Sequence, residues 1–111
     1  MTFFRWLACK ISGRGKALTL YKRGMKKATK RDHEGAIADY TATIGITDAP
    51  PELIAMVLYN RALVYVATGE DGKGTDDLEA LLAMKEGLVN VKTMARQKLA
   101  RMESRSNKTN A

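Results

Sequence analysis

Apolar side chains recur three or four residues apart through most of the chain, the spacing of one face of an α-helix. Leu18, Tyr21 and Met25 follow this spacing near the start, and Leu88 and Val91 begin a similar series near the end. Polar segments containing glycine or proline interrupt the pattern. The pattern predicts five helices, over residues 17–29, 33–46, 51–67, 74–84 and 88–102.

Residue types at the helix ends support these boundaries. Asp32 is a predicted N-cap for the second helix, and Asp48 for the third, whose first turn accommodates the two prolines at 50–51. The two glycines within residues 12–15 predict a break before the first helix. The polar residues 104–111 are predicted to form a frayed tail.

The first two helix pairs repeat one another at a period of 38 residues, and such self-similarity indicates stacked helix pairs. Small residues recur 12 positions apart in both units, as Gly24 with Ala36 and as Ala62 with Gly74. We expect them at close contacts between the two helices of each pair. Leu20, Tyr21, Arg23, Asp39 and Ile44 of the first unit recur as Leu58, Tyr59, Arg61, Asp77 and Leu82 in the second.

The recurring arginine and aspartate predict an ion pair inside each unit. Arg23 would pair with Asp39, and Arg61 with Asp77, because a partly buried guanidinium is costly to desolvate without a carboxylate partner. We expect these pairs to be structural.

The sequence resembles the tetratricopeptide repeat (TPR) family in its bacterial form, in strings such as Ala36-Ile-Ala-Asp-Tyr-Thr41 and Tyr59-Asn60-Arg61. The resemblance implies an all-α fold, a right-handed α-solenoid of two TPR-like helical hairpins plus a C-terminal capping helix. The predicted organisation is a short apolar and basic segment at 1–16, a TPR-like domain at 17–103 and a flexible tail at 104–111. Within the domain, the repeats cover residues 17–50 and 51–86, and the capping helix covers 88–103.

Charge is segregated along the chain. Residues 1–31 carry ten Lys/Arg and no Asp/Glu, residues 32–90 carry three Lys/Arg and eleven Asp/Glu, and residues 91–111 carry six Lys/Arg and one Glu. The basic ends predict a docking surface for an acidic partner, or pairing of the ends with the acidic middle within one chain or between two copies. The oligomeric state stays open.

The sequence shows no export signal and no long apolar run, so we expect a cytoplasmic protein. The single cysteine, Cys9, excludes an internal disulfide framework. His33 is the only histidine, and its flanking acids point apart at a helix start. We therefore expect no enzyme, no metal site and no cofactor.

The resemblance implies that the first helix of each pair lines a concave groove, so the expected function is that of an adaptor that binds an acidic peptide or protein there. Asn60, Lys92 and Arg96 match part of the carboxylate clamp by which some members grip chaperone tails, but Tyr21 and Met25 stand where the clamp needs Lys and Asn. The implied groove residues are Tyr21, Lys22, Met25, Thr29, Met56, Tyr59, Asn60, Leu63, Lys92 and Arg96, with Leu18 beside them.

Two alternatives remain open. Nucleic acid is the first, because a basic run supplies affinity for phosphate; the run comprises Lys22, Arg23, Lys26, Lys27, Lys30 and Arg31. Peripheral membrane association is the second, through Phe3, Phe4 and Trp6 beside the cations Arg5 and Lys10.

Overall fold

The structure, a computed structural model, describes residues 11–85 and 88–110. Those ranges are all-α and contain no β-strand. A π-helical turn at Ile11–Gly15 leads directly into the first α-helix. The helices are α1 (Lys16–Thr29), α2 (His33–Ile44), α3 (Pro51–Ala67), α4 (Asp71–Leu82) and α5 (Val89–Asn110).

The helices pack in chain order. α1 lies against α2 and α3 against α4, which makes two helical hairpins, and α2 packs on α3 where the hairpins meet. α5 packs on α4. α1 also contacts α3, and α3 contacts α5, so the first helices of successive units form a layer of their own.

α3 holds the two hydrophobic clusters together because residues on different sides of it belong to each. Val57 and Val64 of α3 pack with Tyr21 and Tyr40 of the first hairpin. Other α3 side chains pack with α4 and α5. That second cluster consists of Ala55, Leu58, Tyr59, Ala62, Leu78, Leu81, Ala95 and Met102.

The predicted close contacts at small residues are confirmed. A Cβ atom on Gly24 would lie 2.7 Å from a ring carbon of Tyr40, and one on Gly74 would lie 2.8 Å from a methyl group of Val66. Ala36 is fully buried. Glycine and alanine therefore set how closely the two helices of each hairpin approach.

The predicted break at residues 12–15 is wrong, because the helical path continues through both glycines into α1. Gly13 is buried against the Asp48 carboxylate instead, so a Cβ there would require the Asp48 side chain to move. The prediction of Asp48 as the N-cap of α3 is also wrong. The cap residue is Pro50, which makes no side-chain capping bond. Asp32 does cap α2, by accepting a 3.0 Å hydrogen bond from the Gly35 amide.

Four helix ends differ from the prediction by two or more residues. α2 ends at Ile44 instead of residue 46, and α4 spans Asp71–Leu82 instead of residues 74–84. α5 continues to Asn110, so residues 104–110, which the sequence assigned to a polar tail, are helical. A 3.0 Å ion pair between Arg105 and Asp71 ties this extension to the start of α4. None of the helices in the described parts of the chain has the length and apolar character needed to cross a bilayer.

Candidate interaction surface

Both predicted ion pairs are confirmed, and they share one geometry. The Arg23 guanidinium donates through Nε and Nη2 to the two carboxylate oxygens of Asp39, at 2.9 and 2.8 Å. Arg61 does the same to Asp77, at 2.8 and 2.7 Å. The two-point contact fixes the orientation of both side chains. Each ion pair therefore connects the first helix of its hairpin to the second.

The surroundings of the two pairs differ. In the first hairpin, the ammonium of Lys27 lies 3.1 Å from the Asp39 carboxylate. This buried carboxylate therefore forms ion pairs with both Arg23 and Lys27. The hydrogen bond from Arg23 is the main cause that lowers the pKa of Asp39, and the Lys27 ammonium adds to it. Burial of Asp39 opposes this shift. The carboxylate of Asp39 is thus held in its charged form.

In the second hairpin, a tyrosine ring replaces the second cation. Tyr65 stands at the repeat position of Lys27, and the guanidinium carbon of Arg61 lies 5.6 Å from its ring centroid. The Lys73 ammonium lies 5.7 Å from the same centroid. The hydrogen bond to Asp77 is the main cause that raises the pKa of Arg61. Arg61 is also the less exposed of the two arginines, with 17% of its side chain accessible against 58% for Arg23.

The groove residues assigned to α1 form an accessible face. Lys22 and Thr29 are exposed, and so are the apolar side chains of Leu18 (44%) and Met25 (37%). Tyr21 differs from them, because only 9% of it is accessible. α1 therefore presents two uncovered apolar side chains next to a cation.

One hydrogen bond joins the predicted groove residues of α1 and α3. The Asn60 side-chain amide donates to the Tyr21 hydroxyl at 2.7 Å. Burial is the main cause that raises the pKa of Tyr21, and the bond from Asn60 partly offsets it. This hydrogen bond therefore links α1 to α3 through two residues of the predicted groove.

The remaining α3 residues of the predicted set contribute less surface. Tyr59 is 9% accessible and belongs to the core. Met56 and Leu63 are partly buried and pack against the two clusters. The predicted groove residues of α3 therefore lie mostly at the outer edge of the core, and those of α1 are more exposed.

On α5, the two predicted cations have different environments. The Lys92 ammonium donates to the backbone carbonyl of Met84, just after α4. Arg96 is exposed, and the nearby Met94 is 37% accessible. Within the part of the chain that the structure describes, no hydrogen bond joins Lys92 or Arg96 to Tyr21 or Asn60. Of the residues that match the carboxylate clamp, Lys92 is therefore already hydrogen-bonded to a backbone carbonyl of the protein itself.

Most cations of α1, and both cations that directly follow it, pair with no carboxylate of the described residues. Seven Lys/Arg and no Asp/Glu lie between Lys16 and Arg31. Asp39 pairs with two of them, Arg23 and Lys27. The others are exposed and make no ion pair with any residue of the described ranges: Lys16, Lys22, Lys26, Lys30 and Arg31. α1 is therefore the most concentrated source of positive charge among the helices.

The sequence did not predict a cleft of about 450 Å³ that lies between α4 and α5. Leu99 and Met102 form its apolar part, and the carboxylates of Asp71, Glu79 and Glu103 line it. Its α5 wall extends beyond the predicted helix end at residue 102, so a helix that ended there would lack half of the wall. The Arg105–Asp71 ion pair lies beside this cleft.

His33 is the first residue of α2, at a helix start as the sequence predicts, and it is partly buried. Its Nδ1 atom is buried and has no hydrogen-bond partner in the described ranges. Phe3, Phe4 and Trp6, proposed for a membrane contact, lie outside the described residues, as does Cys9.

Comparisons of the chain with protein-family models, curated proteins and solved structures find no match.

Proposed function

We propose that this chain is a non-catalytic adaptor that binds an acidic peptide or protein along the first-helix face of a short TPR-type array. The observation that carries the proposal is the exposed face of α1, where Leu18 and Met25 flank Lys22, and neither Lys22 nor Lys26 pairs with a carboxylate of the described residues. Apolar anchors beside unpaired cations suit a partner that supplies both apolar and acidic side chains.

The packing order supports the TPR-type architecture. First helices contact first helices, the second helix of one hairpin packs on the next hairpin, and small residues mark the close contacts. The capping position falls to α5, which covers the second hairpin. In such an array the first helices line one surface, which is where the proposed partner binds.

The two alternatives use different parts of the chain. Nucleic acid would bind the same lysines, but it gives no role to the exposed Leu18 and Met25. A membrane contact would depend on Phe3, Phe4 and Trp6. The exposed apolar pair on α1 favours the protein partner, and the other two become outcomes of the test. A cytoplasmic location and the absence of enzymatic activity stay predictions.

The test compares labelled acidic peptides, single- and double-stranded oligonucleotides and anionic vesicles at one salt concentration. The informative variant is Lys22→Glu with Lys26→Glu, and its matched control is Arg101→Glu with Lys108→Glu on α5, which makes the same change in net charge at exposed positions. We expect the α1 variant to weaken peptide binding about tenfold or more and the control to change it little.

Added salt should weaken the same binding, because exposed charges are screened over about 8 Å at physiological ionic strength. Oligonucleotide binding without a peptide response would overturn the adaptor proposal in favour of nucleic acid. Vesicle binding that requires Phe3, Phe4 and Trp6, without a peptide response, would overturn it in favour of the membrane.

A further inference from the structure

Two exposed apolar side chains on α1 are separated by two helical turns. Leu18 and Met25 lie seven residues apart, which corresponds to about 10.5 Å along the helix axis. They are 44% and 37% accessible, so each offers an anchoring contact. Thr29 continues the same face one turn further on.

Two lysines of α1 lie beside this apolar pair, and a third follows the helix. Lys22, Lys26 and the C-cap residue Lys30 recur every four residues, about 6 Å apart, and all are exposed. By helical periodicity, Lys22 and Lys26 lie on one side of the apolar pair, and the buried Tyr21 lies on the other. The face therefore combines an apolar stripe and a basic stripe, both with the period of an α-helix.

We propose that the segment recognised by this face is an acidic amphipathic helix that lies along α1, with apolar residues seven positions apart and carboxylates four positions apart. The inference rests on the proposed adaptor function and specifies the conformation and chemistry of the partner. It commits to one partner, a helical acidic segment of another protein, on the basis of charge complementarity with α1.

The spacing favours a helix over an extended peptide. Side chains on one face of an extended strand are about 6.6 Å apart, and the next pair about 13 Å, so neither matches anchors about 10.5 Å apart. Residues seven apart on a helix match that distance. A second helix at a small crossing angle also keeps its carboxylates opposite the lysines over several turns.

Hydrogen bonding gives the same preference. An extended peptide needs partners for its backbone N–H and C=O groups, whereas a helix satisfies its own. Several polar groups of the face are already engaged within the protein. The Thr29 hydroxyl donates to the Met25 carbonyl at 2.9 Å, and the Tyr21 hydroxyl accepts from Asn60.

The test uses designed peptides of roughly 18 residues, long enough to form a helix on binding. The first carries two leucines seven positions apart and glutamates at four-residue spacing. The second is identical except for a central proline, which breaks the helix and keeps the charge. The third has the same composition in scrambled order. Binding is measured by fluorescence anisotropy, and helix formation by circular dichroism.

The helical peptide should bind about tenfold or more tightly than the proline and scrambled peptides, with a gain in helicity. Equal binding of all three peptides would overturn the helical partner and leave the adaptor proposal standing. Binding of none of the three would overturn both the helical partner and the adaptor proposal.

Substitutions locate the contact. Leu18→Ser or Met25→Ser should weaken binding of the helical peptide about tenfold. Met94→Ser is the control and should leave this binding unchanged, although Met94 is as accessible as Met25. Exchanging the charges gives a second measurement: the protein with Lys22→Glu and Lys26→Glu should prefer a peptide whose glutamates are replaced by lysine. An unchanged preference for the acidic peptide would overturn the proposed register on α1.

Discussion

Arg61 and Thr41 join the two hairpins through a single hydrogen bond. The Arg61 Nη1 group on α3 donates to the Thr41 hydroxyl on α2 at 2.9 Å. The same guanidinium is held by Asp77 of α4 through its other donors. One side chain therefore connects α2, α3 and α4, and it adds polar contacts to the hydrophobic packing of the two hairpins.

The first prediction concerns this connection. Arg61→Ala should lower the free energy of unfolding by about 2–4 kcal/mol, because it leaves the buried Asp77 carboxylate without its cation and removes the bond to Thr41. Arg23→Ala should lower it less, since Lys27 remains beside Asp39. Urea unfolding of the two variants measures the difference. Equal losses would contradict the role given to Arg61.

The second prediction compares two glycines. Gly24→Ala should destabilise the protein by about 1–3 kcal/mol, because the new Cβ would meet the buried Tyr40 ring at 2.7 Å. Gly72→Ala is the matched control, because a Cβ there has no neighbour within 4 Å. The control should stabilise the protein by about 0.4–1 kcal/mol through reduced freedom of the unfolded chain. Thermal unfolding shows whether each variant is less or more stable than the native protein. A Gly24→Ala variant as stable as the native protein would contradict the packing described at Tyr40.

The third prediction is a pH dependence that arises at Asp39. The folded protein holds the pKa of Asp39 below its usual value of about 3.9 in unfolded chains, so the resulting stability is complete above that pKa. It is lost as the pH falls from there through the folded pKa. Asp39→Asn should therefore destabilise the protein at pH 7, with a difference from the native protein that shrinks on acidification below about pH 4.

Unfolding by urea at a series of pH values measures this difference. The variant Arg23→Gln with Lys27→Gln should flatten the same acid limb, because both cations that lower the pKa of Asp39 are removed. An Asp39→Asn difference that stays constant with pH would show that the carboxylate charge contributes nothing.

The fourth prediction separates the two α5 cations. Lys92→Ala should lower the thermal stability, because the Lys92 ammonium bonds the Met84 carbonyl at the junction of α4 and α5. Arg96→Ala should leave stability nearly unchanged, because Arg96 is exposed. The same substitution should weaken binding of the acidic peptide. If Lys92→Ala weakens the peptide and does not change the unfolding temperature, Lys92 belongs to the binding face instead.

The sequence predicts the repeat well because its signals are local or recur in both units. The spacing of apolar residues marks every helix, and the duplicated Arg23–Asp39 and Arg61–Asp77 positions predict both ion pairs. The prediction that Asp48 caps α3 is wrong because Asp48 precedes its helix much as Asp32 does, but its carboxylate lies against Gly13. Contacts between units, such as Arg61 with Thr41, leave no periodic signal.

The interaction surface is less predictable for the same reason. A helical register shows that Tyr21 and Lys22 lie near one face, but exposure depends on how closely α1 and α3 approach, which buries Tyr21 and leaves Lys22 accessible. The polar composition of residues 104–110 gives no amphipathic signal, so the extension of α5 and the cleft beside α4 appear only in three dimensions.

The most direct test of the adaptor proposal is a map of backbone amide chemical shifts while an acidic peptide is titrated into the native protein. We expect chemical-shift changes concentrated on α1 between Leu18 and Thr29, with smaller changes near Asn60 and Arg96. Shifts confined to the cleft between α4 and α5, or no shifts at saturating peptide, would contradict it.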